Sequence, residues 1–210
     1  MASFHLAVKT IGRSAGRSAT AAAAYRAGVE ITDERTGLVH DYTRKQGVEH
    51  SALVVPADAP AWANDRAALW NAAEQAETRK NSTVAREYEI ALPAELSAEA
   101  RRELALGLAR EISERHGVAV DVAIHAPGRE GDQRNHHAHL LTTTRRIGPE
   151  GLGEKTRELD DVKRGPQEVE WIRAMIEGRT NQSLERAGLE ARVDRRSLIE
   201  QRAAALDAGD

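Results

Sequence analysis

Three histidines are the side chains best spaced to do chemistry. His125, His137 and His139 lie in the stretch "IHAPGREGDQRNHHAHLL". Successive strand residues point to opposite faces, so His137 and His139 share one face of a strand at 137–145. If the apolar run 118–125 is its antiparallel neighbour, His125 joins them across the hairpin. Three converging imidazoles suit a divalent ion that keeps open positions for a substrate. His136 has the opposite parity and reads as a bystander at the strand entry. Two carboxylates, Glu87 and Glu89, alternate with Tyr88 and Ile90 in "TVAREYEIAL". They could serve as a base or orient a histidine from behind.

A metal held by histidines supports two chemistries. It can activate a water, as in a zinc hydrolase, or polarise a phosphate for a protein nucleophile. No His-Glu-x-x-His helix and no cysteine pair are present, which counts against familiar zinc hydrolases. The chain has three tyrosines as nucleophile candidates. Tyr88 alternates onto the presumed core face, and Tyr42 lies on a hairpin. Tyr25 ends an alanine run in "SATAAAAYRAG". A phenol is only about one part in a thousand ionised at pH 7, an offset of roughly 4 kcal/mol. A nucleophilic tyrosine therefore needs a base or positive charge nearby. The residues alone leave Tyr25 open between nucleophile and helix-edge residue.

The elements that must position these groups follow from periodicity and punctuation. Alternation predicts strands at 4–10, 83–92, 118–125 and 137–145, with weaker ones near 29–33, 38–43 and 51–56. Ser18 caps a helix over 19–27 that stops at Gly28. Pro60 opens a helix to about residue 80. Ser97 caps another that runs to His116 and ends at Gly117. Helices also fall at 166–187 and 195–207. The residues between the strands ending at His125 and starting at His137 are too few for a helical crossover, so this pair is an antiparallel hairpin. The pattern implies an α+β fold, a largely antiparallel sheet with helices on one face. Residues 126–135 and 147–166 read as exposed, flexible connections. The whole chain, 1–210, reads as a single domain with a C-terminal helical segment at 166–210.

Composition narrows the class. Of 210 residues, 30% are charged and none is cysteine, so thiolate sites and disulfides are excluded. No apolar run is long enough for a membrane span, and a reducing cytoplasmic location fits. The net charge of −3 argues weakly against nucleic acid. Its distribution argues the other way. Residues 1–29 hold Lys9, Arg13, Arg17 and Arg26 and no acid, a local basic segment suited to phosphates.

Taken together, these stretches resemble a known family. "FHLAVKTIGRSAGRSATAAAAYRAG" is similar to the N-terminal block of MobA/MobL (MobQ-type) plasmid mobilisation relaxases. "AREYEIALP" resembles their acidic strand motif, and "NHHAHLLTTTR" their histidine–hydrophobic–histidine motif, as in the wider HUH endonuclease class. "VDRRSL" is similar to a C-terminal block that more often carries histidine where Arg195 stands.

The resemblance implies a five-stranded antiparallel sheet with helices on its faces. It implies nicking of single-stranded DNA at a transfer origin by Tyr25, through a 5′-phosphotyrosine; on the strand reading above, Glu87 or Glu89 is the candidate base for the phenol or partner of a histidine. His125, His137 and His139 would hold Mg²⁺ or Mn²⁺. Lys9, Arg13, Arg17, Arg26, Arg129 and Arg134 are the expected phosphate contacts. Expected partners are relaxosome accessory proteins and a type IV secretion coupling protein. The domain would be the N-terminal part of a longer cytoplasmic bacterial protein, transferred with the DNA. A rolling-circle replication initiator shares this chemistry. A non-catalytic, RRM-like single-strand binder is the third reading, and it needs sheet aromatics that a 3% aromatic content scarcely supplies.

Overall fold

The strand signals at the centre of the chain assemble into one antiparallel sheet. In the computed structural model, which describes residues 2–128 and 130–208, the first half contains β1 (Leu6–Gly12), α1 (Ala19–Ala27), β2 (Glu30–Asp33), β3 (Leu38–Asp41), β4 (Val48–Val54) and α2 (Arg66–Gln75). There follow β5 (Thr83–Leu92), α3 (Ala98–His116), β6 (Val120–His125), β7 (His136–Thr143), β8 (Arg145–Gly148), β9 (Gly151–Lys155), α4 (Arg164–Arg186) and α5 (Leu198–Ala208). The main sheet has five strands in the order β1-β5-β7-β6-β4, and every neighbouring pair is antiparallel. β2–β3 and β8–β9 form separate two-stranded hairpins. The class is α+β, as the alternation of elements implied.

Helices cover both faces of the sheet, not one. On the first face Tyr88, Ile90, Val122, Ile124 and Leu140 pack with Leu104, Leu108 and Ile112 of α3 and Ile172 and Ile176 of α4. On the second, Ile11, Ala85 and Leu141 meet Ala22–Ala24 of α1 and Leu69, Trp70 and Ala73 of α2. The second layer was hard to read because its helix contributes methyl groups, which make a weak apolar stripe. Alanine is small enough to bring the α1 backbone close to the sheet, and this close approach sets the site.

The N-terminal end of α1 is pinned. Ser18 Oγ accepts from the Ala21 amide at 3.1 Å, the expected cap. The Ala19 amide donates to Glu74 Oε1 on α2 at 2.6 Å, and Thr20 donates to Asp33 Oδ2 at 2.8 Å. Glu74 is fully buried and also takes the Arg13 guanidinium, with Nη2 to Oε2 at 2.6 Å. Glu74→Ala should cost about 3–5 kcal/mol, because it leaves the largely buried Arg13 guanidinium without its carboxylate and the Ala19 amide without its acceptor. Urea unfolding at neutral pH measures this; a loss under 1 kcal/mol would show that α1 does not depend on Glu74.

Two expectations are corrected. The helix expected from Pro60 to about residue 80 is split. Residues 61–64 form a short 3-10 turn, and Asp65, in extended conformation, caps a shorter α2 by accepting from the Ala68 amide at 2.8 Å. Beyond Ala76 the chain leaves helical pairing: the carbonyls of Glu77 and Arg79 accept from Arg13 at 2.6 and 3.2 Å. The connection at 147–166 is also structured. It holds most of the β8–β9 hairpin, in which Gly148 pairs with Gly151, and a 3-10 turn at Arg157–Leu159. Glu77 anchors it by accepting from Arg145 at 2.8 Å and Lys155 at 2.7 Å. Its strands were too short and polar to show a period.

Candidate active site

The α1 layer sits over the face of the sheet that carries the three histidines. His125 pairs in register with His137, and His139 stands opposite both Ala123 of β6 and Glu89 of β5. The ring centroids of His125, His137 and His139 lie 4.6–5.4 Å apart. One ligand nitrogen from each lies within 4.8 Å of the others. The antiparallel β6–β7 hairpin therefore brings the three rings together.

Each ring has one nitrogen engaged by an oxygen that can only accept, or that is held ionised. His125 Nε2 donates to the Arg26 carbonyl at 2.8 Å, and His137 Nδ1 to the Asn135 carbonyl at 3.1 Å. His139 Nδ1 donates to Glu87 Oε1 at 2.6 Å. The remaining nitrogens, Nδ1 of His125 and Nε2 of the other two, are then lone pairs. This is the protonation pattern of metal-ligating histidines, whose other nitrogen donates to a carboxylate or carbonyl. The cluster fits a divalent ion on that ground.

Electrostatics agree. Burial, with the charge of Lys45 and the adjacent imidazoles, brings His125 down to about 4, against the help of its bond to the Arg26 carbonyl. His125 is therefore neutral at physiological pH, as a ligand must be. Burial raises the Glu87 carboxyl, but hydrogen bonds from His139 and Arg26 and the Arg26 charge outweigh it and hold it at about 2.

These shifts make the metal-free protein acid-sensitive in two windows. An unfolded histidine takes a proton below about 6.5 that folded His125 refuses until about 4. Stability should fall across that interval as pH drops, by on the order of 2–3 kcal/mol. The Glu87 contribution is full above about 4.5 and lost only as pH falls toward 2. Urea titrations in chelator at pH 7 and 4.5 check the first window, and His125→Asn should flatten it. An equal slope in that variant would refute the assignment.

The helix end carrying Tyr25 lies over this floor. A helix leaves its last carbonyls without partners, and here site residues fill them. The Ala24 carbonyl accepts from the Gly28 and Val29 amides. The Tyr25 carbonyl accepts from Lys45 Nζ at 2.8 Å, and the Arg26 carbonyl from His125. The Arg26 side chain reaches Glu87, with Nε to Oε1 and Nη2 to Oε2, the latter at 2.6 Å. Arg26, Glu87 and His139 thus form one chain from helix to floor. Tyr25 is 50% exposed. Its ring meets the edge of Tyr42 at 5.2 Å, and Lys45 Nζ stands 3.6 Å from its centroid. Tyr88, by contrast, is buried in the other layer and pushed up to about 12 by desolvation.

Tyr25 shares a cleft of about 1010 Å³ with His139, Glu87 and Glu89. Ala21 and Ala22, one turn before Tyr25, also line it, which leaves room beside the ring. Lys9, Arg17, Arg35 and Lys80 supply cations along the walls. Of the basic residues singled out from sequence, Arg17 is exposed and has no ion-pair partner among the described residues. Lys9 is exposed and bonded to Glu89 at 2.6 Å. Arg134 is exposed on the β6–β7 loop and paired with Asp132 at 2.8 Å. Arg129 lies outside the described residues. The Arg13 and Arg26 guanidiniums are turned inward, so their donors are spent on Glu74, Glu87 and carbonyls. Glu89 sits at the cleft edge, its carboxyl held down by Lys9 against the pull of burial. Sequence reading missed Arg35, Lys80 and Lys45. Lys45 sits in the polar turn "TRKQG", where nothing local distinguishes it. Arg195 is far from this chemistry in role: it pins the C-terminal segment by bonding Glu170 at 2.8 Å and Glu177 at 2.5 Å on α4.

Comparison with known proteins places this arrangement. A "Mobilization protein MobL" of Acidithiobacillus ferridurans is 46% identical over 223 residues, covering 94% of this chain and 58% of its own length. A "Conjugal transfer protein TraA" of Rhizobium radiobacter is 39% identical over 170 residues, covering 74% of this chain and 14% of its own. The chain thus spans a little over half of the first relative's length and about a seventh of the second's. A solved structure described as the "Molecular Basis of Vancomycin Resistance Transfer in Staphylococcus aureus" superposes with a TM-score of 0.79 at 32% identity, over 93% of this chain and all of its own. The sequence pattern of the MobA/MobL family matches residues 17–207. With that match spanning both the Tyr25 helix and the histidine hairpin, the chain belongs to the MobA/MobL family.

Proposed function

We propose that this chain nicks and rejoins single-stranded DNA, site- and strand-specifically, at a plasmid origin of transfer. The observation that carries this reading is the docking of the Tyr25 helix end onto the histidine floor, through the Arg26 carbonyl on His125 and the Arg26–Glu87–His139 chain.

Tyr25 Oη attacks the scissile phosphorus, and the P–O3′ bond breaks. The phenol proton is balanced by the proton gained at the freed 3′-hydroxyl. The 5′ end stays on Tyr25 as a phosphotyrosine. That ester has the same bond type as the link it replaced, so a 3′-hydroxyl can attack it back and reseal the strand. His125, His137 and His139 would hold a divalent cation, which when bound neutralises charge on the phosphate oxygens. Three imidazole nitrogens favour Mn²⁺ or a later transition ion over Mg²⁺, which prefers oxygen ligands. Glu87 orients His139 and Arg26; a carboxyl held near 2 is a poor base for a phenol. Arg17, Lys9, Arg35 and Lys80 are the cations offered to the DNA backbone, with Arg134 on the β6–β7 loop. Binding should then weaken steeply with salt.

Both faces of the sheet are covered by helices, and Tyr88 is buried, so an RRM-like stacking platform has no support. The domain would act within a longer cytoplasmic protein, alongside accessory proteins and a secretion coupling protein. No helix among the described residues is long and apolar enough to cross a membrane. The deciding experiment reacts the protein and Mn²⁺ with a pool of single-stranded plasmid fragments, then sequences the DNA covalently retained on it. A single attached 5′ terminus is expected. No covalent DNA, or random termini, would overturn the proposal.

A further inference from the structure

We propose that Lys45 is a positioning residue for Tyr25: it holds the phenol ring over the cleft and keeps a positive charge against the phenolate as it forms. The inference rests on the nucleophile reading of Tyr25.

The turn that delivers Lys45 is built for a fixed position. Asp41 Oδ1 accepts from the Thr43 amide at 2.9 Å and its hydroxyl at 2.7 Å, and the Lys45 amide donates to the Tyr42 carbonyl at 2.9 Å. The turn is tied to α1 and to the histidine strand alike. The Tyr42 amide donates to the Val29 carbonyl at 3.2 Å, and the Gly47 carbonyl accepts from the Ala126 amide, next to His125, at 2.8 Å. Gly28 ends α1 at φ +66°, and a Cβ there would meet Val48 Cγ2 at 3.2 Å and Lys45 Cβ at 3.9 Å. The positive φ favours glycine here, and a Cβ would crowd the Val48 methyl while only touching Lys45.

From this turn Lys45 makes two contacts with one residue. Nζ bonds the Tyr25 carbonyl and lies 3.6 Å from the ring centroid, while the Tyr42 ring packs T-shaped on Tyr25 with centroids 5.2 Å apart. A cation on the ring face fixes the ring and favours negative charge developing on it. The neighbouring charges are largely matched. Arg26 on α1 is held by Glu87 of β5, and Lys9 of β1 by Glu89 of β5. His40 of β3 and His139 of β7 line the cleft, and His125 of β6 is neutral at pH 7. Lys45 has no carboxylate partner among the described residues, so its charge is available to the ring. Burial first, then the Arg26 charge, bring its ammonium down to about 8, so it is charged at pH 7 and discharged above pH 9. In the attack, the Oη–P bond forms as P–O3′ breaks, and the phenol proton is balanced at the 3′-hydroxyl; Lys45 gives up no proton.

The test compares Lys45→Met, which keeps the stem, and Lys45→Arg, which keeps the charge. Protein labelled with 3-fluorotyrosine and free of metal and DNA should give a Tyr25 signal, assigned by its loss in Tyr25→Phe. Lys45→Met should move that signal. In single-turnover nicking, Lys45→Met should be about tenfold slower at pH 7, with the deficit closing above pH 9. KM for the oligonucleotide should be unchanged, and Lys45→Arg should recover most of the rate. An unmoved signal, a deficit independent of pH, or a change confined to KM overturns the role of Lys45. An adduct that survives Tyr25→Phe overturns instead the nucleophile reading beneath it.

Discussion

Tyr25→Phe is expected to abolish the covalent protein–DNA adduct, with nicking reduced at least about 10³-fold, while the fold is kept. The substitution removes one exposed oxygen. The ring keeps its contacts with Tyr42 and Lys45, and the helix keeps both its caps. Stability should therefore change by less than about 0.5 kcal/mol, as for an ordinary surface substitution. Denaturing electrophoresis with a labelled origin oligonucleotide reads the adduct, and urea unfolding controls for the fold. Tyr42→Phe is the informative partner, since its ring is 5.2 Å away. It should retain the adduct. If the adduct persisted in Tyr25→Phe and vanished in Tyr42→Phe, the nucleophile would be Tyr42.

The second large effect separates two roles for Glu87. This carboxylate is 1% exposed and held near 2 by His139 and Arg26 against burial. As an orienting group, its change to Gln should lower Mn²⁺ affinity about 10–100-fold by loosening His139. The nicking rate should then recover when Mn²⁺ is raised in proportion. As a base, its change would leave metal affinity intact, and no concentration of Mn²⁺ would restore the rate. Calorimetric Mn²⁺ titration of the protein without DNA, alongside the rate at two Mn²⁺ concentrations, distinguishes these outcomes. Full metal affinity with an unrecoverable rate would refute the orienting role.

Much of the framework was legible because it is local. The cap at Ser18, the stop at Gly28 and the strand at 83–92 depend on a few neighbouring residues, and their structural bounds match the expectation. The same holds for the parity of the histidines, because the alternating residues Val122, Ile124, Ala138 and Leu140 are apolar and take the core face. Failures fell where local patterns are weak. The β8–β9 hairpin is too short to display a period, and the residues after Ala76 were taken from helix by a distant guanidinium, that of Arg13. The inward pairing of Arg13 and Arg26 was likewise invisible: their partners, Glu74 and Glu87, lie more than sixty residues away.

By itself the sequence determined the α+β class, the helix that carries Tyr25 and the shared face of His125, His137 and His139. These follow from periodicities of two and 3.6 and from caps, which neighbouring residues enforce whatever the rest of the chain does. Only the tertiary structure decided that the two units meet. The end of α1 has carbonyls that its own helix cannot satisfy, and it comes to rest where Lys45 and His125 can. That choice depends on how closely an alanine face lets one backbone approach another, a property of packing between distant segments that no local stretch contains.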